Sequence, residues 1–597
     1  MPQSRRAAAI GAALILAASS PPTHVPPAVP ASWRSFSTGG TSRLAVLLTD
    51  TTALWLPLAH GLRSIGVPFV ITRDYHEALR HRVVLVYPTI SGLALSADAL
   101  RALTEFPTAG NTLIACDVLG GGVASMFGFH DATPSRTRYT LRFSPLAASR
   151  FALADARETT LRLGDPSAKT STPYHAFPTY GYTDAAEALA TYDDGTAALT
   201  HHAVGAGHAY AIGVDLGYLM GTGYGGHDEM MSRTYSNGFE PNIDVWLRVL
   251  RRLYLDGEPA GVTLGTVPGD KPLSVLITHD IDYTRSVDNA VAYAEWEHHA
   301  GIPATYFLQT KYVKDWNDDV FFDDAERPNM VKLRTLGGEL ASHSVSHSRS
   351  FGQFPLGTGT ESYPSYHPFV HTQMVTTGGT VLGELRVSKS LIESLAPGDS
   401  VTAFRPGHLA EPRALPQALA ATGYRYSSST TAGSSLTHLP FALDYDRAGA
   451  SETGIFEFPI TIEDEAQPPM DQRLPQALAL AHAIAHYGGE VVILIHPNVL
   501  DFKLRFEQGF VTALRDSAWF GTVSGFGRWW AARDAVTCDV TQDGTTRTVH
   551  LTAPLAIDSL PLVVPPDWHY TGGADVTPSP HGVVIRHLSG DVRLTFK

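Results

Sequence analysis

Apolar and polar positions alternate along this chain in three regimes. Over residues 43–265, short apolar runs at 44–48, 67–72, 83–87 and 112–116 read as strands. They alternate with helical spacing at 56–64 and 97–105. That order predicts an open parallel sheet, followed by a more β-rich stretch that returns to a strand at 208–214. Over 270–535, strand-like runs at 273–277, 304–308 and 491–495 alternate with helical stretches at 290–299, 383–395 and 475–486, which predicts a distorted β/α barrel. Residues 536–597 carry short alternating segments at 546–551, 583–585 and 592–596 and read as a small β-sandwich. The expected fold class is α/β: a parallel-sheet domain, then the barrel, then the sandwich.

At 597 residues the chain exceeds one ordinary core, in keeping with several domains. Before residue 43 the pattern differs. Arg5 and Arg6 precede twelve apolar residues, 7–18, and small residues run to Ser20, so 1–20 reads as a secretory signal. Twelve apolar residues are too few to span a bilayer, and no later segment is long and apolar enough to do so. Residues 21–42, rich in Pro, Ser and Thr, read as a linker. The expected location is secreted or periplasmic. The balance of 44 Lys plus Arg against 58 Asp plus Glu gives a formal charge of −14 with no basic block, which disfavours nucleic-acid partners. Two cysteines, Cys116 and Cys538, define no disulfide framework and read as two buried thiols.

The chemistry concentrates in the central region. Thr278-His279-Asp280-Ile281-Asp282 closes the apolar run that begins at Leu273. Extended residues two apart share a face, so Asp280 and Asp282 project together from a strand end, with His279 turned away. One carboxylate can bind a metal while the other takes a proton from water. His343 and His347, four apart, can meet one ion from a single helical turn. Two imidazoles and one carboxylate leave a coordination position open, as in a catalytic zinc site. Spacing alone is a weak signal, because His367/His371 and His482/His486 share it.

Context favours the first pair. Gly337-Gly338-Glu339-Leu340-Ala341-Ser342-His343-Ser344-Val345-Ser346-His347-Ser348 resembles the second motif of the NodB-like polysaccharide deacetylases, the family-4 carbohydrate esterases, usually Gly-His-Glu-Ile-Gly-x-His-Ser/Thr-x-x-His. Gly301-Ile302-Pro303-Ala304-Thr305-Tyr306-Phe307-Leu308 resembles the strand that precedes it. Phe404-Arg405-Pro406-Gly407 resembles the third motif, and Ile493-Leu494-Ile495-His496-Pro497 the fifth. All occur in family order. The resemblance covers about 270–535. It implies Asp280 as general base, Arg405 as the residue orienting that base, His496 as general acid, and Asp282, His343 and His347 as metal ligands. Zinc suits such ligands; cobalt, nickel and manganese remain open. The implied partner is a polysaccharide carrying N-acetylglucosamine.

Two departures leave alternatives. The family's first motif has adjacent aspartates, Thr-Phe-Asp-Asp, whereas this one is spaced, so the roles of Asp280 and Asp282 can be exchanged. At the fourth motif, Gly423-Tyr424-Arg425-Tyr426-Ser427-Ser428-Ser429 offers serine where an aspartate usually pairs with the acid histidine. Asp444, Asp446, Glu463 and Asp464 are the substitutes on offer. An aromatic-rich stretch between the second and third motifs, with Phe351, Phe354, Tyr363, Tyr366 and Phe369, suits either a substrate wall or ordinary packing. Residues 43–265 loosely resemble glutamine-amidotransferase-like domains. Cys116 lacks the flanking glycines of their nucleophile elbow, which implies a non-catalytic scaffold or glycan-binding unit. Two other functions stay open, an O-acetyl carbohydrate esterase and a non-catalytic glycan-binding or assembly protein.

Overall fold

The computed structural model describes residues 36–169, 173–226, 236–316 and 319–597. The expected signal, 1–20, and residues 21–35 of the expected linker lie outside the described residues. Among those described, no helix is long and apolar enough to cross a membrane.

The first unit is built on an eleven-stranded sheet. Five strands run parallel in the order Phe69–Thr72, Leu44–Leu48, Val83–Tyr87, Thr112–Cys116, Gly207–Ile212. The expected parallel sheet is only this half. Beyond it, Ala197–Val204, Ala188–Tyr192, Thr140–Phe143 and Thr160–Arg162 pair antiparallel. The switch follows from loop length. Gly205 and Ala206 alone join two neighbouring strands, Gly205 at φ 61°, and so short a link permits only a hairpin.

The central unit is a ten-stranded sheet that curls on itself. Leu273–Ile281, Thr305–Leu308, Glu339–Ser342, Ala403–Phe404 and Tyr426–Ser427 are successive parallel neighbours. The chain over 452–463 then joins the two ends. Glu452–Glu457 pairs with Tyr426–Ser427, and two residues later Ile460–Glu463 pairs with Glu490–Ile495, itself a neighbour of Leu273–Ile281. Helices such as Thr284–Ala300 cover the outside. Gly301, at φ 69°, ends that helix in the left-handed conformation and turns the chain toward the next strand.

The expected C-terminal β-sandwich is instead one six-stranded antiparallel sheet. Its two long strands, Thr546–Val563 and Gly582–Phe596, run through both halves and stay paired across a register shift between Ala553 and Ile557. Pro554, which has no N–H for the ladder, stands at that shift. The bend wraps Leu551, Leu560, Ile585 and Leu594 around one small core.

The first two units share a single hydrophobic core that takes in Trp246 and Leu250 of the helix Asn242–Gly257 as well as Phe441 and Ile495 of the curled sheet. Tyr224 stacks on Phe441 at 4.5 Å. The buried Asp244 carboxylate accepts the Thr437 hydroxyl and the His438 N–H across the junction.

Candidate active site

The side chains of interest stand just past the ends of parallel strands of the curled sheet. Asp280 is the penultimate residue of Leu273–Ile281, and Asp282 follows it. His343 follows Glu339–Ser342, Arg405 follows Ala403–Phe404, and His496 follows Glu490–Ile495. All but Arg405 open onto a cavity of about 580 Å³ that Tyr283, Arg349, His408 and Asn498 also line.

Strand alternation divides the first motif as expected. Asp280 and Asp282 face the cavity. His279 points to the other side, where its Nε2 meets Glu297 at 2.7 Å. Arg405 is fully buried and holds Asp280 by an Nη1–Oδ1 hydrogen bond of 2.8 Å, while the same nitrogen donates to Thr278 Oγ1. Its other nitrogens donate to Ser428 O at 3.1 Å and Ser428 Oγ at 2.8 Å. The serine at the fourth motif therefore serves the arginine, not the acid histidine.

The two histidines reach the aspartates from a different local structure than their spacing suggests. Residues 343–347 are not a helical turn. Ser344 (φ 67°) and His347 (φ 51°) both adopt left-handed backbone, which coils the segment tightly. Glu384, from the helix Val381–Glu393, fixes that coil. Its buried carboxylate accepts the N–H groups of Val345 at 2.7 Å and Ser346 at 2.8 Å, and the Tyr366 hydroxyl at 2.8 Å. Tyr366 is thus packing, as is the buried Phe351 against Phe354; of the loop aromatics, Tyr363 stands exposed.

Asp282, His343 and His347 converge. His343 Nε2 lies 3.3 Å from Asp282 Oδ1, and His347 Nε2 lies 3.5 Å from Asp282 Oδ2. Asp280 Oδ2 is 3.7 Å from the same His343 nitrogen. His343 Nδ1 is 2.9 Å from the Arg405 carbonyl, an acceptor, so Nδ1 carries the proton and the Nε2 lone pair is left for a cation shared with Asp282. Asp282 Oδ1 is buried without a hydrogen-bond partner. Ligand atoms about 2.0–2.1 Å from a tetrahedral ion stand about 3.3 Å apart; the two histidine–carboxylate separations are close to that, and the three ligand atoms all lie within 4.8 Å of one another. The residues fit a divalent cation. A second cluster, His279, Glu297 and Glu507, fits less well, since its closest pair is at hydrogen-bond length and Tyr306 already donates to Glu297.

Burial raises the cost of charge on Asp282, but the imidazoles of His347, His343 and His496 outweigh it and hold the carboxyl well below its usual range. Burial, reinforced by His343 and His496 against the pull of Asp282, keeps His347 neutral, its pKa pushed down to about 4. A neutral imidazole beside an ionised carboxylate is the form that binds metal.

Asp464 is the partner of His496. Its Oδ1 lies 2.8 Å from His496 Nδ1, and its Oδ2 accepts the His496 backbone N–H at 2.6 Å. The other three substitutes are engaged elsewhere: Asp444 beside His60, Asp446 on Gln417, Glu463 on Asn237. Asp464 follows the strand Ile460–Glu463, a parallel neighbour of the strand that precedes His496. Position after a strand end was the signal that could have selected it. The pairing leaves His496 Nε2 aimed into the site, 3.4 Å from Asp282 Oδ2.

Burial opposes both charges of this pair, yet His496 and Lys503 hold Asp464 down at about 2, while Asp464 and then Asp282 raise His496 to about 10. Asp464 thus stabilises the fold fully above its unfolded value of about 3.9 and loses that effect as pH falls toward 2. His496 stabilises it fully below about 6.5 and loses that effect as pH rises toward 10. Thermal unfolding of chelator-treated protein is expected to show both limbs, and Asp464→Asn to flatten them. An unchanged pH profile in that variant would refute the pair.

The N-terminal cysteine is no nucleophile. Cys116 is buried, and burial together with Asp117 and Asp215 pushes its thiol well above the ordinary range. Cys538 is likewise buried, and neither cysteine forms a disulfide.

No family model matches the chain, and no curated protein matches it in sequence. Among solved structures it is similar to a candidate polysaccharide deacetylase from Mycobacterium smegmatis, at 15% identity over 46% of this chain and 98% of that one, with a TM-score of 0.34. It is also similar to a polysaccharide deacetylase from Bacillus cereus, at 13% identity over 42% of this chain and 91% of that one, with a TM-score of 0.25. A family-4 carbohydrate esterase pseudoenzyme from Bacillus anthracis matches at 12% identity over 43% of this chain and 65% of that one, again with a TM-score of 0.25. Likeness at TM-scores this low leaves the chemistry to be argued from the residues of this chain.

Proposed function

We propose that the protein is a secreted, divalent-metal-dependent hydrolase that removes N-acetyl groups from a polysaccharide containing N-acetylglucosamine. The observation that carries the reading is the approach of His343 and His347 to Asp282, at 3.3 and 3.5 Å, with a second carboxylate, Asp280, and an imidazole, His496, on the same cavity. Asp282, His343 and His347 would hold the ion, and zinc suits them. Bound there, it would polarise the acetyl carbonyl and acidify water.

The chain's own residues divide the proton work. Asp280, anchored by Arg405, is placed to take a proton from the attacking water. His496, charged through Asp464, is placed to return one to the departing amine nitrogen. Arg405 stays out of proton transfer, since its hydrogen bonds are committed to Asp280, Thr278 and Ser428. Export rests on the N-terminal charge and apolar pattern. For residues 43–265 we infer a scaffold role, supported by the inert Cys116 and the core shared with the curled sheet.

The purified protein is expected to release acetate from N-acetylglucosamine oligomers and to stop on addition of a chelator. Faster turnover of O-acetylated sugars would point to the esterase. Oligomer binding without turnover, in protein free of metal, would point to the glycan-binding reading.

A further inference from the structure

Lys503 lies in the first turn of the helix Asp501–Leu514, outside every motif considered above. It is buried and makes three hydrogen bonds from one ammonium group: to Asp464 Oδ2 at 2.6 Å, to the His496 carbonyl at 3.0 Å and to Asn498 Oδ1 at 2.8 Å. An ammonium has three N–H donors, so none is left for a substrate. Two of its acceptors belong to the acid pair itself, one on the carboxylate and one on the backbone of the histidine. Asp464 in turn clasps His496 twice, by backbone and by ring. Lys503 therefore closes a small ring of contacts over the ends of two adjacent strands, and the orientation of His496 Nε2 is set by that ring.

We propose that Lys503 is a positioning residue for the acid step: it fixes Asp464, and through Asp464 the direction in which His496 presents its proton. The inference rests on the hydrolase reading above and adds to it a residue that acts only on departure of the amine. No bond to Lys503 forms or breaks. The proton passes from His496 Nε2 to the amine nitrogen as the carbon–nitrogen bond breaks, and Lys503 stays charged throughout.

The consequence is selectivity by leaving group. An amine must be protonated to depart, whereas 4-nitrophenolate departs unaided. In the intact, metal-loaded protein, Lys503→Met is expected to lower kcat on an N-acetylglucosamine oligomer by about 10–100-fold, part of the ~10²–10⁴-fold that a placed acid supplies. On 4-nitrophenyl acetate the fall should be many times smaller, with KM on the oligomer and metal content little changed. In an Asp464→Asn background, Lys503→Met should cost little more, because its path of action is already cut. Equal losses on both substrates, no loss on either, or a full effect persisting in the Asp464→Asn background would each overturn the proposal. Wild-type protein inactive on both substrates is a different result: it overturns the hydrolase reading itself.

Discussion

Asp282→Asn is expected to strip the protein of its metal and to stop acetate release. The substitution keeps the side chain's volume and removes the one charge that both His343 and His347 approach, at 3.3 and 3.5 Å. Losing an outer hydrogen bond to a metal ligand typically costs 10–100-fold in affinity, so loss of a ligand charge should cost at least about 100-fold. Metal analysis after dialysis, alongside acetate release, checks both halves. Acetate release that survives both Asp282→Asn and chelation would rule out metal chemistry at this site.

Asp280→Asn should behave differently. Asp280 is held by Arg405 and lies farther from His343 than Asp282 does, 3.7 against 3.3 Å. Metal content should stay near the wild-type value while kcat falls by about 10²–10⁴-fold, the usual contribution of a placed base. The two variants together also resolve the order of the spaced aspartates. If Asp280→Asn loses the metal and Asp282→Asn keeps it, ligand and base exchange places.

Much of this arrangement was readable from the residues, and the exceptions share a physical cause. The central strands of the curled sheet were legible because Val, Ile and Leu run together where a strand is buried on both faces, but the expected barrel is a curled mixed sheet. The orientation of Asp280 and Asp282 followed from a two-residue period that any strand must obey. Asp464 was one of four possibilities because it lies 32 residues before His496, and only the pairing of their strands joins them. Glu384 was missed altogether. It supports the His343–His347 coil from 39 residues downstream of Val345, and two histidines four residues apart look the same in sequence whether they lie in a helix or in that coil. The C-terminal sheet was misread because Pro554 and Pro561 break the alternation, while the strand continues through both.

The seam at 452–463 ties geometry to assembly. The strands from Leu273–Ile281 through Tyr426–Ser427 place Asp280 and the His343–His347 coil, but not the partner of His496. Only when this segment spans the gap does Asp464 arrive beside His496. The proton donor of the proposed reaction is thereby completed by the same short segment that brings the two ends of the sheet together.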